Sequence, residues 1–202
     1  MIAIIDYDAG NIRSVEKACR YLGEEPVITR EASEIEKADH VILPGVGAFG
    51  DCMDHLRKYG LIDVIKDVTA KEIPFLGICL GLQLLYPASE ESPGAEGLSI
   101  LQGTITRIPD YPGLKVPNIG WNSCELMNDG RLFKGIPDQP FFYFVHSYFL
   151  TAADKSTVRA QIEYGGTRID ASVEAGNTFA CQFHPEKSGE TGLAVLKNFL
   201  EV

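Results

Sequence analysis

Apolar positions in the first part of the chain come in two rhythms. Ile2 to Ile5 is an unbroken apolar run closed by Asp6, the pattern of a strand covered on both faces in a parallel sheet. Asn11 then stands where a helix can be capped. Ile12, Val15, Ala18, Cys19 and Leu22 recur at helical spacing, and Gly23 supplies a stop. The two rhythms repeat: Val27-Ile28 and Val41-Ile42-Leu43 read as strands, Phe49 to Lys58 and Leu61 to Ala70 as helices. A further apolar run, Ile73 to Leu76, leads through Gly77-Ile78-Cys79-Leu80-Gly81 into another helical pattern. Strands alternating with helices predict a doubly wound α/β sheet.

After Pro87 and the loop Ser89 to Gly97 the segments become strand-like and are separated by turn residues. They are Leu98 to Leu101, Thr104 to Ile108, Phe141 to Val145, Val158 to Ile162, Ile169 to Val173 and Phe179 to Phe183. An antiparallel or mixed continuation of the sheet is predicted. Leu193, Leu196 and Leu200 place a last helix over Gly189 to Leu200, packed back on the core. No internal repeat, low-complexity tract or linker interrupts the 202 residues, and 45% hydrophobic content suffices for a sizeable core. One domain over 1–202 is predicted.

Charge narrows the partners. With 28 acidic against 18 basic side chains, a formal charge of -10 offers no basic footprint for nucleic acid or an anionic membrane. The N-terminal apolar run is too short for a secretion signal, and no later run is long enough for a membrane span. Cys19, Cys52, Cys79, Cys124 and Cys181 are odd in number, scattered and without a Cys-x-x-Cys pair. That argues against a disulfide framework or a zinc cage and for a reducing, cytoplasmic setting.

Candidate chemistry centres on Cys79. A strand-to-helix turn that exposes a nucleophile strains its backbone, and Gly77 and Gly81 keep the turn free of clashes. The start of a helix also favours thiolate. A buried structural thiol is the competing reading. His184, in Gln182-Phe183-His184-Pro185-Glu186, is the candidate base. Were the Phe179 strand to continue through it, His184 and Glu186 would point to the same side, and the carboxylate could fix the imidazole tautomer. His40 and His55, without such a companion, read as ordinary core or surface residues. No His-x-x-x-His or His-Glu-x-x-His spacing calls for a metal. An oxyanion needs backbone donors, which the N–H of Leu80 and the loop Pro44-Gly45-Val46-Gly47 can supply.

Taken in this order, the elbow, His184-Pro185-Glu186 and the Pro44 to Gly47 loop make the chain resemble the class I glutamine amidotransferases. One branch is closest, on Ile4-Ile5-Asp6-Tyr7, Gly10 to Val15, Pro44 to Phe49, Gly120-Trp121-Asn122, Tyr143 to Tyr148 and Gln182 to Gly189. These motifs span nearly the whole chain. The resemblance implies a three-layer α/β fold with a mostly parallel central sheet flanked by helices and an added antiparallel or mixed region.

The resemblance also implies that Cys79 attacks the carboxamide of L-glutamine and His184, oriented by Glu186, passes a proton to the leaving ammonia. Backbone at Gly45, Val46, Gly47 and Leu80 holds the oxyanion, the loop acting as a switch. Water then hydrolyses the glutamyl thioester. Gln83 and the backbone around Ser147 and Tyr148 match positions that hold the amino-acid end of glutamine. No cofactor is implied. A glutaminase alone only wastes glutamine, so a partner is. In this branch it is a (β/α)8-barrel cyclase subunit that joins ammonia to an N'-phosphoribulosyl-formimino aminoimidazole carboxamide ribotide. The products are imidazole glycerol phosphate and an aminoimidazole carboxamide ribotide, in histidine biosynthesis.

Asn11, Trp121, Tyr143 and Lys187 match interface positions of that heterodimer. Asp8 and Asn118 depart from the branch, with a small residue and a histidine common at their places, and are expected to bear on interface geometry alone. Two alternatives remain at this point. One is a glutaminase serving anthranilate, pyridoxal phosphate or purine synthesis, and the other is a catalytically silent binding protein on the same fold.

Overall fold

A computed structural model describes residues 1–127 and 130–202. Its first half runs β1 (Ile2–Ile5), α1 (Ile12–Tyr21), β2 (Val27–Thr29), α2 (Ala32–Ile35), β3 (His40–Gly45), α3 (Phe49–Lys58), α4 (Leu61–Ala70), β4 (Phe75–Cys79) and α5 (Leu80–Leu84). The second half holds β5 (Gly103–Arg107), β6 (Asn118–Ser123), β7 (Glu125–Leu126), β8 (Phe141–His146), β9 (Tyr148–Ala152), β10 (Val158–Tyr164), β11 (Thr167–Ala175), β12 (Thr178–Cys181) and α6 (Gly189–Leu200).

Strands line up in the order β2-β1-β3-β4-β12-β11-β10-β7, with β9 joined to β11 and β5 to β9. From β2 to β12 every pairing is parallel, and beyond β12 every pairing is antiparallel. β6 and β8 form a separate antiparallel pair. Alternation along the strands sorts side chains onto two faces: Ala3, Ile5, Val41, Leu43 and Phe75 enter one core, Ile2, Ile4, Ile42, Leu76 and Ile78 the other. Burial on both faces is why these strands read as unbroken apolar runs rather than alternating ones. Among the described residues, no helix is long and apolar enough to cross a membrane.

The register decides what meets what. Gly45 at the end of β3 is paired with Cys79 at the end of β4, and Cys181 of β12 is paired with Ile78. Three neighbouring parallel strands therefore stop at one edge. The segments leaving them, Val46 to Ala48, the elbow, and Gln182 to Glu186, start side by side, as expected of the carboxyl ends of a parallel sheet.

Several sequence expectations are corrected. Leu98 to Leu101 is not a strand: the N–H groups of Leu98, Ile100 and Leu101 bond to the carbonyls of Leu84 and Leu85 at the end of α5. An apolar run tucked under a helix end looks the same in sequence as a buried strand. β12 stops at Cys181, and Pro185–Lys187 forms a 3-10 turn with His184 at its start, so strand alternation does not align His184 with Glu186. Asn11 begins α1, but its side chain caps no backbone N–H and instead accepts from Ser14 Oγ at 2.9 Å. The strands β6, β7 and β9 and the short α2 carry no clear apolar rhythm and were not anticipated.

Candidate active site

Cys79, the last residue of β4 and the one that opens onto α5, sits at φ 56°, ψ -108°. A non-glycine residue rarely holds such a conformation, and it persists only where the surroundings over-determine it. The flanking glycines are needed atom by atom. A Cβ on Gly77 would lie 2.7 Å from the Gly81 carbonyl oxygen, and one on Gly81 would lie 2.0 Å from that of Leu43. At five residues α5 is little more than one turn, so what it offers Cys79 is its first N–H groups rather than a long dipole.

His184 is 3% exposed and lines, together with Cys79, a cavity of about 290 Å3. The 3-10 turn brings Glu186 back to it, with Nδ1 2.8 Å from Glu186 Oε1 and the carboxylate itself buried. Nδ1–H thus donates to Glu186 and leaves Nε2 for the thiol. Burial alone pushes the imidazole down, but its hydrogen bonds to Cys79 and Glu186 outweigh that and raise it to about 9. The turn is fastened to β8 at Tyr143: His184 N–H donates to the Tyr143 carbonyl at 2.9 Å, Tyr143 N–H to Ser188 Oγ at 2.9 Å, and Ser188 Oγ to the His184 carbonyl at 2.7 Å.

Val46, Gly47 and Leu80 line the same cavity as Cys79. Gly45 lies beneath it, where a Cβ would sit 2.6 Å from Gly81 N; its smallness lets loop and elbow touch. The loop is held from behind, by Tyr7 OH donating to the Pro44 carbonyl at 2.7 Å and Cys52 Sγ to that of Val46 at 3.5 Å. Gly47 has φ +108°, which a side chain would resist.

Gln83, Ser147 and Tyr148 also border the cavity. Gln83 Nε2 donates to the Tyr148 carbonyl at 3.0 Å and to Gln182 Oε1 at 2.9 Å, so only its Oε1 is left for a ligand. The Ser147 carbonyl is taken by Ile108 N–H. Sequence reasoning missed three residues here. Glu91 lines the cavity while accepting from Phe49 N–H at 2.9 Å, and its carboxylate suits an α-ammonium. Gln182 Nε2 lies 3.6 Å from Cys79 Sγ. His146 borders the cavity and is held neutral, burial pushing it down to about 4. Asn118, expected to matter for docking alone, is 2% exposed and 3.2 Å from His146 Nε2.

The remaining candidates sit at the rim. Lys187 is exposed and borders the cavity, and Asn11 opens α1, which packs against the Pro185–Lys187 turn. Trp121 and Tyr143 are paired across β6 and β8, their rings edge to face at 6.0 Å. Ile119, Trp121 and Phe141 are more than half exposed and share that face.

This arrangement can form and hydrolyse an acyl-thiol: a thiol on a strained backbone, an oriented imidazole, a glycine loop beside the thiol and a cavity that can take an amino acid. A family profile for class-I glutamine amidotransferases matches residues 3–202. The chain is 49% identical, over its full length and 98% of the relative, to imidazole glycerol phosphate synthase subunit HisH of Caldanaerobacter subterraneus subsp. tengcongensis. The HisH subunit of Methanothermobacter thermautotrophicus is 47% identical over the full chain and 98% of its own length. Among solved structures, a glutamine amidotransferase superposes with a TM-score of 0.77 at 20% identity, covering 100% of this chain and 98% of the other. A chain of PurLQS from Thermotoga maritima superposes with 0.75 at 21% identity, covering 99% and 97%. At such identities the structures speak for the fold alone.

Proposed function

This chain belongs to the class-I glutamine amidotransferases, and from that premise we propose that Cys79, His184 and Glu186 release ammonia from L-glutamine. It serves as the glutaminase subunit of an imidazole glycerol phosphate synthase, in histidine biosynthesis, with residues 1–202 acting as one glutaminase domain. The observation that carries the reading is the meeting of a strained Cys79 with a Glu186-bound His184 in one cavity.

In this mechanism glutamine enters with its carboxamide over Cys79 and its α-ammonium toward Glu91 and Gln83 Oε1. The thiolate attacks the carboxamide carbon. N–H groups of Leu80 and the Val46-Gly47 loop receive the oxyanion, and His184 Nε2 gives its proton to the departing ammonia. The same nitrogen then activates water against the thioester, releasing glutamate and restoring the thiol. Exposed Ile119, Trp121 and Phe141, with the half-buried Tyr143 between them, form an apolar face of the kind that marks a protein contact. With Asn11 and Lys187 at its side, that face suits docking of a (β/α)8-barrel cyclase subunit as a heterodimer. Five buried, unpaired cysteines accord with a cytoplasmic setting.

Two experiments test this reading. The full chain mixed with the cyclase subunit and its ribotide ligand should release glutamate from glutamine; if none forms with partner and ligand both present, the reading fails. The second follows pH. A folded-state value near 9 exceeds the ordinary imidazole value of 6.5, so the charged ring contributes stability that is complete below 6.5 and lost as pH rises through about 9. Proton delivery to ammonia should fade over the same range. A profile of kcat/KM against pH is therefore expected to fall near pH 9, and Glu186→Gln to move that fall to lower pH, since it removes one of the two contacts that hold the proton. An unmoved alkaline limb would show that Glu186 does not orient His184.

A further inference from the structure

The polar groups beneath the nucleophile form a chain with one fixed point. The main-chain carbonyl of Tyr148 can only accept, and it receives Gln83 Nε2 at 3.0 Å and His146 Nδ1 at 2.9 Å. Each neighbour is then oriented by elimination. Gln83 must turn its NH2 toward Tyr148, and the second hydrogen of that group reaches Gln182 Oε1 at 2.9 Å. Gln182, its oxygen committed, must turn its NH2 the other way, where Cys79 Sγ lies 3.6 Å from Nε2. On the other branch His146 has its Nδ1 hydrogen engaged, so Nε2 accepts from Asn118 Nδ2 at 3.2 Å, and Asn118 Oδ1 accepts from Asn122 Nδ2 at 3.2 Å. Gln182 is fully buried and Gln83 nearly so. A flipped amide would set acceptor against acceptor among buried groups, at the cost of unsatisfied hydrogen bonds.

From this polarity we propose that Gln182 is a positioning residue for the glutaminase reaction, its amide donating N–H to the Cys79 sulfur and holding it aligned for attack, with Gln83 as its strut. The proposal rests on the reading of Cys79 as the nucleophile. As a thiol, Cys79 donates to the Val145 carbonyl at 3.7 Å. Ionisation ends that bond and leaves a charge that a backbone carbonyl repels. The Gln182 N–H serves both forms and is worth more to the charged one, because a hydrogen bond to an ion is about twice as strong as one between neutral groups. Gln182 therefore favours the reactive form and restrains the sulfur from below, while His184 approaches from the side.

Iodoacetamide alkylation of Cys79 in the free full-length chain, followed across pH and read at the Cys79 peptide, tests this without partner or glutamine. Other titratable groups facing the sulfur stay in place: His184 with Glu186 behind it, Tyr7 just after β1, Cys181 from β12, and His146, Glu91 and Lys187 around the cavity. Gln182→Met keeps the length but removes the donor, and Gln182→Glu sets a charged acceptor in its place. The alkylation midpoint is expected to rise by roughly half to one pH unit in Gln182→Met and further in Gln182→Glu. In the assembled complex kcat should fall about tenfold with KM changed less than about threefold.

A folded Gln182→Met with the wild-type alkylation midpoint and kcat overturns the proposal. Should both variants fail to fold, Gln83→Met, which frees the Gln182 amide to rotate, is expected to raise the alkylation midpoint of the free chain in the same direction, and a folded Gln83→Met with the wild-type midpoint overturns the proposal. Wild-type Cys79 inert to alkylation at every pH would instead overturn the nucleophile reading itself.

Discussion

Cys79→Ala is expected to abolish glutamate release, lowering kcat by at least about four orders of magnitude, while the chain still folds and still binds its partner. The thiol is the group that forms the covalent bond, and no other sulfur lines the cavity among the described residues. Cys79→Ser should rescue little. A hydroxyl ionises far less readily than a thiol, so serine at this place lacks the ready nucleophile that the sulfur provides. A third variant separates strain from chemistry. Cys79→Gly, equally dead, should melt at a higher temperature than Cys79→Ala, because only glycine accepts φ 56°, ψ -108° without steric cost. Glutamate release measured with partner and ligand, alongside thermal melting, checks all three. A Cys79→Ala protein with wild-type turnover would end the covalent mechanism.

The second large effect is expected at Gly81. An added Cβ would sit 2.0 Å from the Leu43 carbonyl oxygen and 3.1 Å from its carbon, and no rotamer change moves a backbone carbonyl in a central strand. Gly81→Ala must force β3 away from the elbow. β3 carries the Val46-Gly47 loop, so activity and stability should be lost together: about 3 kcal/mol or more, at the upper end of overpacking costs, or roughly 10 °C in melting temperature for a chain of this size. Gly60→Ala is the contrast. Gly60 has φ +66° with nothing within 4 Å of a new Cβ, so only the left-handed backbone is penalised, by about 1 kcal/mol, and turnover should be unchanged. Equal losses in the two variants would show that the clash at Leu43 is relieved cheaply.

Legibility in the sequence followed burial. The parallel half was readable because strands covered on both faces leave unbroken apolar runs, and the helices between them bury one face each. Leu98 to Leu101 defeated that logic, since its backbone bonds to the end of α5 and not to a neighbouring strand. β6 was invisible because Asn118, Ile119, Gly120, Trp121 and Asn122 show no apolar rhythm: Asn118 is buried for its bond to His146, while Ile119 and Trp121 are exposed on a face with no cover. Glu186 was matched to His184 by spacing, yet the contact is made by a 3-10 turn rather than a strand. The spacing worked because both geometries allow residues two apart to meet.

By itself the sequence determined the local chemistry: a cysteine needing two glycines, a histidine with a carboxylate two residues on, and a glycine loop at the end of a strand. Each is a short-range fact, written in adjacent residues whose steric and hydrogen-bonding demands are the same in any fold. Tertiary structure alone decided that β3, β4 and β12 end side by side, so that residues far apart in the chain share one cavity. It also decided that Gln83, Gln182, Asn118 and His146 become a polarised chain around one carbonyl. Long-range bonds between buried polar groups leave no periodicity to read, because their partners are fixed by strand register and not by neighbours in the chain.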